Sequence, residues 1–424
     1  MAAPQAKASA RLDALQTGPG FGAARADALA RLRAMGLPDR RDEYWRYTDP
    51  ATLNVQAAPA APVFDASDEA PLFDALDRVK LVFVDGVFDP AASDDPALAG
   101  VEILRLADAP DISWANGLYG TLETAGQTPV ARPFAALNTA AATDGILIRA
   151  TARAAKPVHL IYIHESETSD PILHHLVKVE PGAELTLLET GPAGARFNKV
   201  LEVDVATGGR FHHVQVQGRD HQRRAVTHLF TRVAEEALFK SFTLTANGVL
   251  TRNECVIDIA GDDAVAHVAG AALGDGATGA FHHDDTVFIT HGAERGESRQ
   301  VFKKVLKHGA VGTFQGKILV KPGAQKTDGY QISQSLLLDD DSQFLAKPEL
   351  EIYADDVKCS HGSTTGALDE TALFYLRSRG VPQEEAVALL VLSFLADAIA
   401  EIEDEDIQAE IVARLEAWLS RHRG

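Results

Sequence analysis

Thiols are nearly missing from this chain: 424 residues include two cysteines, Cys255 and Cys359. That excludes a disulfide framework and fits a reducing compartment. Positive charge is scarce as well, with 40 Lys and Arg against 60 Asp and Glu and a formal net charge of −20. Nucleic acid and anionic membrane surfaces both require basic patches, so neither is expected as the main partner. No stretch approaches the roughly 18 apolar residues that a membrane span requires. Met1 to Gly20 is Ala-rich and polar, without the apolar segment and cleavage site of a signal peptide, and a cytoplasmic protein is expected. The chain has no Gly-Lys-Ser/Thr phosphate loop, no GxGxxG between strand and helix and no GxSxG elbow. It is expected to be non-catalytic, and any energy source its process needs must come from another chain.

What is present suits an ordinary globular protein: 46% hydrophobic and 24% charged residues, at a length that suggests two or three domains. Apolar spacing predicts a helix over Gly22–Met35, ended by Gly36 and Pro38. The aromatic run Asp42–Pro50 (DEYWRYTDP) reads as a clasp packing on the body, and Asn54–Pro71 reads as a linker. Lys80–Asp85 and Val101–Leu106 look like strands, and Ala115–Thr124 and Phe134–Ala142 like helices. Residues 1–144 therefore form an α/β, largely helical, N-terminal region.

From 145 to 361 the pattern is mainly β. Short strand-like runs such as Val158–His164, Leu173–Val179, Arg210–Gln217 and Leu238–Thr245 are separated by Gly, Asp and Asn. Val179-Glu180-Pro181-Gly182-Ala183 returns as Val320-Lys321-Pro322-Gly323-Ala324. Many short strands with regular turns describe a sandwich, a barrel or a stacked solenoid, and composition does not choose among them. Adjacent histidines, His174-His175, His212-His213 and His282-His283, fall in these strands. Strand neighbours point to opposite faces, so each pair offers one ligand to any site. His282-His283-Asp284-Asp285 with His291 is a secondary metal candidate, set against a polar exterior stripe. Cys255 reads as a core thiol, and Asp339-Asp340-Asp341 as a solvated turn.

The tail, 362–424, is helical. Glu370–Arg379, a helix opened by Pro382 with Glu384 and Glu385 in its first turn, and Asp406–Arg421 are expected. The middle helix is apolar around much of its circumference, and Ile407, Ile411, Leu415, Trp418 and Leu419 form one stripe on the third. This suits either a self-contained bundle or a bundle with an apolar face left for another protein.

Between body and tail lies Lys347–Gly380, KPELEIYADDVKCSHGSTTGALDETALFYLRSRG. If the strand led by Leu350–Ala354 continues, Asp355, Val357, Cys359 and His361 share one face. A thiol and an imidazole there can approach a common soft or borderline metal, with a carboxylate behind them. Gly362–Gly366 reads as a turn. The alternative is a small buried thiol beside a hydrogen-bonded histidine.

The run resembles the SufB/SufD family of iron–sulfur cluster assembly proteins, and its SufD branch in particular, through Cys359-Ser360-His361-Gly362 and Leu373–Gly380 (LFYLRSRG). The SufB branch typically lacks that CSHG and has a cysteine after the Phe-Tyr pair, where this chain has Leu376. The Asp42–Pro50 run resembles an N-terminal signature of the same family. The resemblance implies a right-handed parallel β-helix between the helical regions. It also implies a scaffold role in de novo cluster assembly beside a SufB-like paralogue and a SufC-like ATPase, with a homodimer as an alternative state of the isolated chain. His361 and Cys359 are then the residues at a partner interface, Asp355 a carboxylate behind them, and Leu415 and Trp418 candidate ATPase contacts. Iron or an iron–sulfur cluster is expected as transient cargo shared with the partner. A cluster usually takes about four protein ligands, and two thiols make the lone chain a poor carrier. Rival classes are a β-helix carbohydrate-active enzyme, which needs clustered carboxylates in a groove, and a metal-storage or sensing protein built on the histidines.

Overall fold

The computed structural model describes residues 10–63, 65, 70–108, 112–218 and 222–421. The stretch Met1–Gly20 and the linker expected over Asn54–Pro71 thus lie partly outside the described residues. The body is a parallel β-solenoid. Alternate strands in the chain belong to two facing sheets, one of 10 strands and one of 9. Each coil places one strand in each sheet, so Arg196, Arg224 and Leu250 stack in register on one wall. On the other wall Arg210, Leu238 and Val265 do the same.

Strands buried on both faces explain the apolar runs. One face of each sheet fills the lumen, where Leu201, Phe211, Leu229, Phe239, Ile257, Val287 and Phe302 share a core. The outer face of the nine-stranded sheet carries Leu176, Val200, Val226, Phe230 and Leu250. It is covered by the helices Gly22–Met35, Thr121–Ala125 and Pro133–Ala141, with Trp45, Tyr119 and Phe134 packed between. The clasp is held by more than apolar contact. Arg252 donates to the Tyr44 carbonyl at 2.8 Å and lies 4.1 Å over the Trp45 ring, and Tyr44 donates to Glu349 at 2.6 Å. Burial raises the carboxyl of nearby Glu254, but Arg252, His228 and Arg132 outweigh it and hold the group down at about 2.

The N-terminal region also joins the solenoid. Val79–Val84 pairs in parallel with Val158–Ile163, and Glu102–Arg105 pairs antiparallel with Ile146–Ala150. The echoed Val-x-Pro-Gly-Ala segments, each following a strand that ends at Val179 or Val320, occupy the same corner of two coils.

At the other end the helices Gln383–Ile399 and Glu405–Arg421 lie on the ten-stranded sheet. Val391, Leu395, Ile411, Leu415 and Trp418 pack there on Val214, Phe242, Leu244, Val301 and Val305. The linker between these helices is pinned by Glu401, which accepts from His267 at 2.9 Å and Arg299 at 3.1 Å. Glu403 pairs with Lys240 at 2.7 Å. The third helix therefore spends its apolar stripe on the chain's own sheet. Leu415 and Trp418 are 0% and 3% exposed, which corrects their expected place on a partner-facing surface. The Glu370–Ser378 helix buries none of its residues, and Phe374 and Tyr375 stand 74% and 55% exposed. No helix among the described residues is long and apolar enough to cross a membrane.

Candidate functional site

The histidine pairs resolve as the alternation of a strand requires, one ring outward and one inward. His174 shares a hydrogen bond with Glu202 at 2.8 Å on the capped face, while His175 turns into the lumen against the Tyr162 hydroxyl at 3.0 Å. His282 contacts the Thr48 hydroxyl at 3.0 Å on the outer face, and His283 lies inside, where the Lys304 ammonium donates to it at 2.8 Å. His291 is engaged by Ser298 at 2.8 Å. His282 and Asp284 thus face outward to Thr48 while His283, Asp285 and His291 face the lumen, and His174, His175, His213, His283 and His291 are buried rather than part of an exterior stripe. Among the described residues no three of His, Cys, Asp and Glu converge on a metal position.

The lumen holds polar networks that composition did not reveal. Glu189, fully buried, accepts from Lys199 at 2.5 Å, from Tyr162 at 2.6 Å and from His213 at 2.7 Å. Three coils further on, Lys304 pairs with Asp285 at 2.6 Å. Between these clusters lies Cys255, buried, with its thiol pushed up by desolvation. A thiol in that state is inert, as expected of a core cysteine. Asp339 accepts the backbone N–H of Ser342 at 2.9 Å in a turn.

The last coil is built differently. Gln343–Ile352 and Lys358–Gly366 end the two sheets, each with one neighbouring strand and one open edge. The strand runs on through Gly362–Gly366, where the sequence suggested a turn. Ser333 donates to Ser363 at 3.1 Å and Ser335 to Thr365 at 3.2 Å, a hydroxyl ladder that a hydrophobicity pattern does not register. Cys359 pairs with Gly329 and His361 with Gln331. Both therefore sit on the inward face, at the mouth of the lumen. Cys359 is half-buried over Ile318 and Val320, and a Cβ on Gly329 would lie 3.2 Å from its sulfur. Desolvation raises its thiol, the Gly329 N–H opposes that, and Asp328 adds to it. His361 is exposed to solvent.

The structure thus places Cys359 and His361 on one face but does not bring Asp355 to them. Strand geometry begins only at Lys358, and Asp355 lies in the preceding turn, accepting from Gln325 at 2.8 Å. That hydrogen bond, with backbone N–H groups, holds its carboxyl below the usual range. The mouth offers one soft sulfur and one borderline nitrogen, half of a typical tetrahedral set. It is flanked by an unpaired strand edge that can accept pairing from another chain.

Residues 162–394 match the family described as SUF system FeS cluster assembly, SufBD core domain. The chain is similar to the iron–sulfur cluster assembly protein SufD of Escherichia coli, with 29% identity over 91% of this chain and 90% of the relative. It is similar to an iron–sulfur cluster assembly SufBD family protein of Synechocystis at 26% identity, over 91% and 88%. A SufD of Bacillus subtilis is 28% identical over 61% and 60%.

Proposed function

Because the chain belongs to the SufB/SufD family of iron–sulfur cluster assembly proteins, we propose that it is the SufD-type scaffold subunit of a complex with a SufB-like paralogue and a SufC-like ABC-type ATPase. Its open coil contributes to the site where iron is admitted and the cluster is built. The observation that carries this reading is the pair Cys359 and His361 at the mouth of the lumen, beside a strand with an unpaired edge. Two donors are too few to hold a cluster, so the cargo is completed by ligands from the paralogue. Edge-to-edge addition of that partner's strand brings them to the mouth. Without the partner, a second copy can occupy the same edge, giving a homodimer. His361 is the more exposed donor and a good borderline ligand for ferrous iron. Cys359, packed on apolar neighbours with its thiol raised, contributes less.

The ATPase docks on the helical tail. Exposed Phe374 and Tyr375, with Leu389 at 46% exposure on the next helix, supply the apolar anchors. A carbohydrate-active reading has less support. A cleft of about 340 Å³ lined by Arg153, Lys156, His212, Lys240, Glu401 and Glu403 is the nearest thing to a groove with carboxylates. Glu401 and Glu403 there are tied to His267, Arg299 and Lys240.

The test is anaerobic co-purification from native cells, with iron and sulfide analysis of the complex and of the lone chain. The expected result is a SufB-like and an ATPase subunit retained together, and no stoichiometric cluster on the lone chain. A stable cluster on the lone chain overturns the scaffold reading.

A further inference from the structure

One and two rungs beneath His361 the inward face carries two glutamines with unmet hydrogen-bonding capacity. Gln300, Gln331 and His361 are cross-strand partners in three successive coils. Phe302, two residues after Gln300 and therefore on the same face, lies in the lumenal core, which fixes the direction of the row. Both glutamines are 0% exposed. Gln331 donates its amide to the Gln300 side-chain oxygen at 2.9 Å. That leaves Gln331 Oε1 and Gln300 Nε2 buried without a hydrogen-bond partner among the described residues. Buried polar atoms are nearly always matched, so such an orphan calls for a reason.

The opposite wall is cut away for this side chain. A Cβ on Gly316 would stand 2.2 Å from Gln331 Nε2 and 2.7 Å from its Cδ. Any larger residue at 316 displaces the amide. The next side chain outward from Gln331 on the same face is His361, one strand spacing of about 4.8 Å away. A neutral imidazole used as a ligand presents one nitrogen lone pair and carries a proton on the other. In metal sites that second nitrogen usually donates to an oxygen, which fixes the tautomer and the ring's orientation.

We propose that Gln331 is a positioning residue for His361. Its side-chain oxygen, unpartnered while the His361 ring stands exposed, accepts the ring N–H when the imidazole turns inward and so fixes the tautomer that presents the other nitrogen outward, to ferrous iron held between this chain and its paralogue. Gly316 keeps the space that lets Gln331 do so. The part played in iron handling rests on the role proposed for His361 above, whereas the tautomer does not.

The test is read on the isolated chain, labelled with ¹⁵N-histidine, by long-range nitrogen–proton correlation at one fixed pH. The His361 signals are assigned by their loss in His361→Ala. A single His361 tautomer is expected in the unsubstituted chain. Gln331→Met keeps the volume and removes the oxygen. Gly316→Ala moves the amide without altering either partner. Both are expected to give a mixture of tautomers while thermal unfolding stays cooperative. A mixture in the unsubstituted chain, or the same single tautomer in both variants, overturns the proposal. In the reconstituted complex, Gln331→Met is expected to slow cluster formation at least tenfold. Altered tautomers with normal cluster formation would uphold the positioning and instead overturn the metal role of His361.

Discussion

Acid should unfold this protein from the inside, through histidines that the fold keeps neutral. His159 accepts from Arg78 at 2.8 Å through Nδ1, and His175 accepts the Ile146 N–H at 3.0 Å through the same atom. Neither ring can take a second proton without losing that bond. Burial pushes His159, His174 and His175 down to about 3, and His228 and His291 to about 4. In the unfolded chain a histidine titrates near about 6.5. Below that pH the unfolded state binds protons that the native state refuses, so stability falls as pH falls. Each such group contributes up to about 1.4 kcal/mol per pH unit between its two values. Glu202 works in the opposite direction. Burial pushes its carboxyl up to about 7 against the N–H groups of Gly120, Leu122 and Glu123, so below that pH the native state holds a proton that the unfolded state binds only near about 4. These five groups against Glu202 contribute a net slope of about 5 kcal/mol per pH unit around pH 5, to which His213 and His283, also pushed down by burial, add and from which Asp285, pushed up by burial, subtracts. Against a total stability of order 5–15 kcal/mol, that places acid unfolding about one to three units below pH 6.5. Urea midpoints measured by circular dichroism at pH 7.5, 6.5 and 5.5 read the slope directly. His291→Gln, which removes one neutral ring held by Ser298, should lower the net proton count by one. Midpoints that do not change across this range would refute the reasoning.

Lys199→Met leaves the Glu189 carboxylate buried without its ammonium and should cost about 3–5 kcal/mol in urea unfolding, most of it recovered when Glu189→Gln is added. Leu415→Ala should cost about 2–5 kcal/mol, since the side chain is enclosed against the ten-stranded sheet. Phe374→Ser and Tyr375→Ser should leave stability within about 0.5 kcal/mol while weakening ATPase binding measured by calorimetry. Unchanged affinity in both would move the docking surface elsewhere.

Where apolar residues still recur at the period of the element, the periodic reading of the sequence matches the structure. Arg210–Gln217 and the Gly22–Met35 helix coincide with their expected bounds. Where the same positions hold buried charge, the pattern disappears. The strands Arg224–Val233 and Glu297–Lys307 are cases in point, since His228 faces the N-terminal cap and Lys304 faces Asp285 across the lumen. The strand containing Cys255 starts well before that residue. It begins at Leu250, with Arg252 and Glu254 spent on the clasp. At the candidate site, Cys359 and His361 were legible because a thiol and an imidazole two residues apart are rare and share a strand face. Gln331 was not, because a glutamine carries no signal until register sets it under His361. Asp355 fails for a local reason: the alternation that would align it is broken by the turn bonded to Gln325.

The central claim is that the mouth of the last coil, through His361, takes part in building the cluster. It is tested most directly by reconstituting the complete complex with His361→Ala and following cluster formation anaerobically alongside thermal unfolding. His361 is exposed on the last strand, so the variant should fold, unfold within a few degrees of the unsubstituted chain and retain its partners. The account predicts that this intact complex forms no cluster. Cluster formation at the unsubstituted rate by a stably assembled His361→Ala complex would contradict it.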